Sequence, residues 1–278
     1  MTLIAFVGSV FSPYYAWSGR DDPLDHCALN VAVYGAGGRR WAMTERRRAA
    51  VTREATVLSI GPSRLTWEGG ALTITFDEVT SPRPSRLRGV VRLFPQATNE
   101  QVFSLDAARR HRWRPIAPRA RVEVSLDNPG CAWRGDGYFD TNVGDEPLED
   151  AFVGWDWSRA HLPEDTLLFY DVTRRGGETA SLALGFDRHG APTEVESPAP
   201  VRLPSTAWGI PRLVRGDADG GVSLRRTLED TPFYARSALS GRFAGRPAEM
   251  IHESLSLNRL RSPIVRAMLP FRMPRTLW

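Results

Sequence analysis

The chain has no lysine, two cysteines and five histidines among its 278 residues. All 36 basic residues are therefore arginines, set against 32 acidic ones for a formal net charge of +4. Arginine pairs bidentately with carboxylates and phosphates and is more weakly hydrated than lysine. Such a balance suits an anionic membrane surface, but the charge is spread along the chain and no nucleic-acid-binding fingerprint appears. Cys27 and Cys131 match no metal or redox spacing, which argues against a disulfide framework and makes a reducing compartment the default. There is no Gly-x-Ser-x-Gly elbow, phosphate loop or His-Glu-x-x-His. His26, His111, His161, His189 and His252 are scattered, so a metal site would have to be assembled across strands. These absences favour chemistry with no cofactor and no bound metal. No apolar run approaches the roughly 18 residues that a membrane-spanning helix needs. Met1–Val10 lacks a basic leader and a cleavage signal, and reads as a first strand.

What is present is alternation. Most segments alternate apolar and polar residues, punctuated by 24 glycines and 21 prolines, the rhythm of an antiparallel β protein. Ala28–Tyr34, then Gly35-Ala36-Gly37-Gly38, then Arg39–Met43 read as strand, glycine turn and strand. The same glycines open like a dinucleotide fingerprint, but Arg40 at the sixth position and the strand that follows make a hairpin the better reading. Leu65–Trp67, Leu72–Phe76, Val90–Phe94, Val122–Val124, Leu167–Tyr170, Ser181–Phe186 and Val222–Leu224 continue the series. Asn99–Arg110 is polar and suits a short helix or linker, which places a domain boundary near residue 108. The expected architecture is all-β: two lipocalin-like, calycin-type barrels or sandwiches, residues 1–108 and 109–278, each with strands enough to enclose one apolar ligand. Asn258–Trp278 carries five arginines and no acid among apolar residues. It reads equally as a basic amphipathic segment on a membrane surface or as a strap packed across the barrels.

His111-Arg112-Trp113 puts His and Trp on one face of a strand, and Tyr138-Phe139-Asp140 repeats the device. Strict alternation would also turn Arg134 and Asp136 inward, which is costly in an apolar cavity. A bulge at Gly135-Asp136-Gly137 would reset the face. Taken alone, each pair is more often structural than catalytic.

Resemblance changes the weight. Gly8–Trp17, His26–Val31, Trp41–Glu45, His111–Trp113, Gly137–Asp140 through Gly144–Glu149, Trp155–Trp157 and Met268–Pro274 together resemble the bacterial carotenoid 1,2-hydratase family of purple phototrophs, also called hydroxyneurosporene synthases. The likeness spans essentially the whole chain. That family is similar to a wider two-domain lipocalin-like group that includes fungal enzymes shaping polyene cycloadditions. The resemblance implies a cofactor-independent hydro-lyase adding water to the terminal C1–C2 double bond of acyclic carotenoids of the neurosporene or lycopene type. It also implies a site at His111, Trp113, Tyr138 and Asp140. Trp133, Trp155, Trp157, Tyr14 and Tyr15 are the aromatics expected along the substrate. The implied partners are an acyclic carotenoid and water, with peripheral association on the cytoplasmic side of the inner or photosynthetic membrane.

Such a reaction needs an acid, a shielded tertiary cation and one water. Asp140 is the expected proton donor. At pH 7 an ordinary aspartate is protonated about one part in a thousand, a penalty of roughly 4 kcal/mol, which burial can remove. His111 is expected beside it to stabilise the forming carboxylate, with Trp113 and Tyr138 offering ring faces to the cation. Either His111 or Asp140 would deprotonate the water. A carotenoid or lipid carrier on the same barrels and a shape catalyst of the cycloaddition type are the other readings, separated by whether oxygen from water enters the product.

Overall fold

Strands form where the residues alternate in the computed structural model of the chain, which describes residues 1–35, 38–128, 130–217 and 221–276. Ala36 and Gly37 of the expected turn, and Leu277 and Trp278 of the C-terminal segment, lie outside the described residues. The chain divides into two compact units. The first comprises Met1–Pro95, Ala120–Gly137 and the chain from Arg266; the second comprises Gln96–Arg119 and Tyr138–Val265. The expected boundary near residue 108 falls inside Gln96–Arg119, and the chain re-enters the first unit at Ala120. A strand keeps its period of two whichever partners it has, so a strand running from one unit to the other leaves no mark in the pattern.

In the first unit β1 (Thr2–Val7), β2 (Cys27–Gly35), β3 (Gly38–Ala42) and β4 (Glu45–Arg46) form a sheet in which β2 pairs with the other three. Between β1 and β2 in sequence, α1 (Pro13–Trp17) is capped by Ser12, whose Oγ accepts from the Tyr15 amide at 3.0 Å. β5 (Val51–Arg53), β6 (Val57–Ile60), β7 (Ser63–Glu68), β8 (Ala71–Val79) and β9 (Arg86–Pro95) make an antiparallel meander. Leu87, Val91 and Leu93 bury alternate positions of β9. Gly89 is required there, because a Cβ would lie 2.5 Å from the Ser125 carbonyl oxygen.

The polar stretch after β9 is neither helix nor plain linker. Phe103–Ser104 is β10, paired with Trp113 and Arg112, and Arg109 turns the chain back at φ 57°. β11 (His111–Asn128) and β12 (Gly130–Gly144) are long strands whose residues divide between the units. Within the first unit exposed Arg134 pairs with half-buried Glu123, and exposed Arg121 with exposed Asp136. The charges expected to strain an apolar interior are therefore surface ion pairs.

The second unit continues with α2 (Leu148–Ala151), β13 (Phe152–His161), β14 (Asp165–Arg174), β15 (Thr179–Asp187), β16 (Pro192–Thr193), β17 (Pro200–Leu203), β18 (Arg212–Arg215), β19 (Ser223–Asp230), β20 (Tyr234–Phe243) and β21 (Arg246–Ser256). Seven of these form an antiparallel sheet in the order β16-β15-β14-β13-β21-β20-β19, while β17 and β18 pair separately. One face of the large sheet is oily: Ala160, Phe169, Leu239 and Met250 pack with Leu203 of β17 and Val214 of β18. Burying each large apolar side chain contributes about 1.5–3 kcal/mol. Along β13 the alternate positions face the other way. There Trp157 stands opposite Tyr170 of β14 and Glu253 of β21, and Glu253 opposite Arg236 of β20.

Near the C-terminus come α3 (Leu257–Leu260) and α4 (Pro263–Arg272). Val265 and Leu269 of α4, and Met273 beyond it, are buried, whereas Ile264, Met268 and Phe271 are exposed. Spacings of three and four residues put each set along its own side of the helix.

Candidate active site

All four residues of the expected constellation lie in the second unit. Trp113 is buried and donates from Nε1 to Asp140 Oδ2 at 2.8 Å, and the Tyr138 hydroxyl donates to the same oxygen at 3.1 Å. An indole N–H can only donate, so Oδ2 is held as an acceptor and a proton on this carboxyl belongs on Oδ1. The two-residue spacing of Tyr138 and Asp140 puts them on one side of β12. Gly137 before them packs so tightly that a Cβ would fall 2.4 Å from Val122 Cγ1.

Asp140 keeps partial surface access, but the protein around it strips water from the carboxyl and pushes its pKa up to about 6. Burial is the largest cause; the Trp113 hydrogen bond opposes it, the Glu253 charge adds to it, and Tyr138 and Arg236 oppose it. Burial, followed by the Asp140 charge, raises the Tyr138 phenol well above its ordinary value, so it stays a neutral donor.

Rings surround the carboxyl. Trp113 meets Tyr170 edge-on at 5.3 Å, Tyr138 tilts against Trp157 at 5.3 Å, and Trp155 meets Tyr170 at 6.0 Å. The Arg159 guanidinium lies 5.6 Å from the Tyr138 centroid, so that ring already shares its π-density with a cation. Trp157 is buried, and its Nε1 has no hydrogen-bond partner.

His111 departs from the expectation. Its Nδ1 lies 3.1 Å from Asp106 Oδ2 and its Nε2 3.3 Å from the Glu146 carbonyl oxygen, so both ring nitrogens are engaged away from Asp140. Asp106 also accepts from the His111 amide at 2.7 Å and the Arg110 amide at 3.2 Å. Burial opposes ionisation of Asp106, but these amides and the His111 ring hold its pKa below the ordinary carboxylate value. His111, packed edge-on against Phe152 at 4.7 Å, therefore pins the start of β11, two residues before Trp113. The hydrogen bonds to Asp140 come instead from the two residues expected to offer ring faces.

Trp155 and Trp157 stand with the cluster; the other three expected aromatics belong to the first unit. Trp133 lines a groove of about 600 Å³ in the first unit together with Val90 and Arg92, and none of the Asp140 cluster lines that groove. Tyr14 and Tyr15 also belong to the first unit. Tyr15 packs 4.9 Å from His26, whose Nδ1 lies 2.8 Å from Glu45 Oε1, and Arg275 reaches both Glu45 and Asp25 while lying over the Tyr14 ring.

Asp106, Arg159, Tyr170, Arg236 and Glu253 did not emerge from the sequence reading. The available signal was a charged residue at a sheet-facing position between small ones, as in Ala235-Arg236-Ser237. Among the described residues no group of three His, Cys, Asp or Glu side chains has the arrangement to hold a metal ion.

A lipocalin-like antiparallel protein with a desolvated carboxyl, wired to an indole and a phenol, is the class that fold and site define. The model of the carotenoid hydratase CrtC family matches residues 3–278, and the chain belongs to that family of hydro-lyases. It is 56% identical over 279 residues to an acyclic carotenoid 1,2-hydratase of Thiocapsa roseopersicina, covering 99% of this chain and 69% of the relative. It is 40% identical to the enzyme of the same name from Rhodobacter capsulatus, covering 98% and 97%. A crystal structure described as AttH, from Nitrosomonas europaea, superposes with a TM-score of 0.56 at 13% identity over 83% of this chain and 81% of that one, a likeness of fold alone.

Proposed function

We propose that this chain hydrates the terminal C1–C2 double bond of an acyclic carotenoid, with Asp140 as the acid. The observation that carries the reading is the pair of donors, Trp113 Nε1 and Tyr138 OH, on one oxygen of a carboxyl whose pKa is pushed up to about 6. Oδ1 carries the proton and gives it to C2, leaving a tertiary cation at C1. Charge then collects on the carboxylate, where both hydrogen bonds strengthen as the transition state forms. The acid form is populated about one part in ten at pH 7, a penalty of about 1.4 kcal/mol instead of the roughly 4 kcal/mol of an ordinary aspartate. Water captures the cation at C1 and, after losing a proton, leaves a 1-hydroxy carotenoid. The rings of Trp155 and Tyr170 face the cation, while Asp106 and His111 act by positioning Trp113.

The test is incubation of the purified protein with neurosporene or lycopene in oxygen-18 water. The expected product is a tertiary alcohol carrying the heavy oxygen. Bound carotenoid returned unchanged would replace this reading with that of a carrier, and a rearranged product without the label would make it a shape catalyst.

The exposed side of α4 supports peripheral attachment to the inner or photosynthetic membrane from its cytoplasmic side. Ile264, Met268 and Phe271 form an apolar ridge in a segment holding five arginines and no acid. Flotation with anionic phosphatidylglycerol vesicles tests this: binding is expected to weaken in Phe271→Ser and Ile264→Ser, and equal binding by the variants would remove the ridge from the account.

A further inference from the structure

Asp140 supplies the proton in the reading above, which leaves open what holds and deprotonates the water. The register of the second-unit sheet puts Trp157 directly opposite Glu253, and Glu253 directly opposite Arg236. Cross-strand partners share a face, so the indole and the carboxylate are immediate neighbours. Trp157 also packs on Tyr138, which donates to Asp140, so this row borders the acid. Trp157 is buried to 8% exposure, yet its Nε1–H meets no acceptor. A buried donor without a partner is destabilising, and an indole N–H can be satisfied only by an acceptor such as water oxygen. Glu253 is held by the Arg236 guanidinium, whose Nε in turn donates to the Tyr234 hydroxyl at 2.9 Å. A fifth of the Glu253 side-chain surface stays accessible, leaving room for a further hydrogen bond.

We propose that Trp157 and Glu253 bind the attacking water, Trp157 Nε1 donating to its oxygen and Glu253 accepting one of its protons, with Arg236 as the positioning residue. The inference rests on Asp140 being the acid. After Asp140 protonates C2, a lone pair of the water oxygen forms the C1–O bond and fills the empty orbital at C1. The resulting oxonium breaks one O–H bond, its proton passing to Glu253 and the electron pair staying on oxygen as the alcohol. Asp140 is then a carboxylate and Glu253 an acid, and exchange of one proton with solvent at each resets the site. A protonated tertiary alcohol is a strong acid, so a carboxylate tied to arginine is base enough. Two carboxyl groups thereby divide the work, one giving a proton to carbon and one taking a proton from oxygen.

The two halves are separable in deuterium oxide. There Asp140 delivers a deuteron to C2; if water capture fails, the cation gives the Asp140 carboxylate a hydrogen from C2 or from an end-group methyl, and deuterium accumulates in the end group of recovered carotene. Glu253→Gln is expected to hydrate neurosporene about a hundredfold more slowly. Trp157→Phe, which keeps a ring but drops the N–H, is expected to be about tenfold slower. In both, deuterium incorporation into recovered carotene should stay at or above that of the unaltered protein, so the ratio of exchange to hydration rises. Asp140→Asn should abolish both. Hydration at the full rate in Glu253→Gln, or parallel loss of exchange and hydration in both variants, would overturn the water site. An Asp140→Asn protein that still hydrates would instead overturn the acid on which it rests.

Discussion

Replacing Trp113 by phenylalanine isolates one hydrogen bond of the acid. The substitution keeps an aromatic ring against Tyr170 and removes the N–H that lies 2.8 Å from Asp140 Oδ2. A hydrogen bond to a charged acceptor contributes about 1.5–3 kcal/mol, and 1.36 kcal/mol corresponds to one pKa unit, so the bond lowers the Asp140 pKa by about one to two units. Without it the value moves up from about 6 toward roughly 7–8. The acid form is the active one, so activity is lost as pH rises through this pKa, and the alkaline limb of the pH–rate profile shifts upward in the variant. The plateau at low pH moves the other way: the carboxylate left by proton transfer has lost a donor, and the rate falls by about tenfold to a hundredfold. The assay is the initial hydration rate of detergent-dispersed neurosporene at about one-unit pH steps from about 5 to 9, read by chromatography, with a thermal melt to verify folding. A limb that stays put or moves to lower pH, together with a plateau within twofold of the unaltered protein, would refute the reasoning.

The other consequences are shorter. Asp140→Asn removes a group whose folded pKa is raised, so the native aspartate contributes stability below about pH 4 that is lost as pH rises through about 6; the variant should be more stable than the parent by up to about 3 kcal/mol at pH 8 and equal to it at pH 4, measured by denaturant titration. Tyr138→Phe loses the longer, 3.1 Å bond to the same oxygen, and its plateau is expected to fall less than that of Trp113→Phe in the same assay. Asp106→Asn keeps one carbonyl oxygen but puts an NH2 donor in place of the other, against either the Arg110 amide or the His111 amide and ring, and should cost about 1–3 kcal/mol in denaturant titration at pH 7. Gly137→Ala forces a Cβ against Val122 and should cost about 1–3 kcal/mol by overpacking; an unchanged melting temperature would mean that β12 shifts freely there.

Much of this protein can be read along the chain, because the readable features are periodic or local. Alternation announced an all-β fold, and each segment from Ala28–Tyr34 to Ser181–Phe186 that reads as a strand overlaps one. The spacings His111-x-Trp113 and Tyr138-x-Asp140 placed each pair on one side of its strand without any knowledge of partners. Neither property carries distance across the chain. That Trp113 and Tyr138 converge on one oxygen of Asp140, that His111 turns instead to Asp106, and that Tyr14, Tyr15 and Trp133 belong to the other unit are facts of register and of strand-to-strand placement. Glu253 and Arg236 carried only a weak signal for the same reason: each is an ordinary charged residue in an ordinary strand until the sheet sets it one register position from Trp157 or from its neighbour. The residue types limited which chemistry was possible. The pKa of the acid arises from desolvation by groups far away in sequence, and so it existed only once the chain had folded.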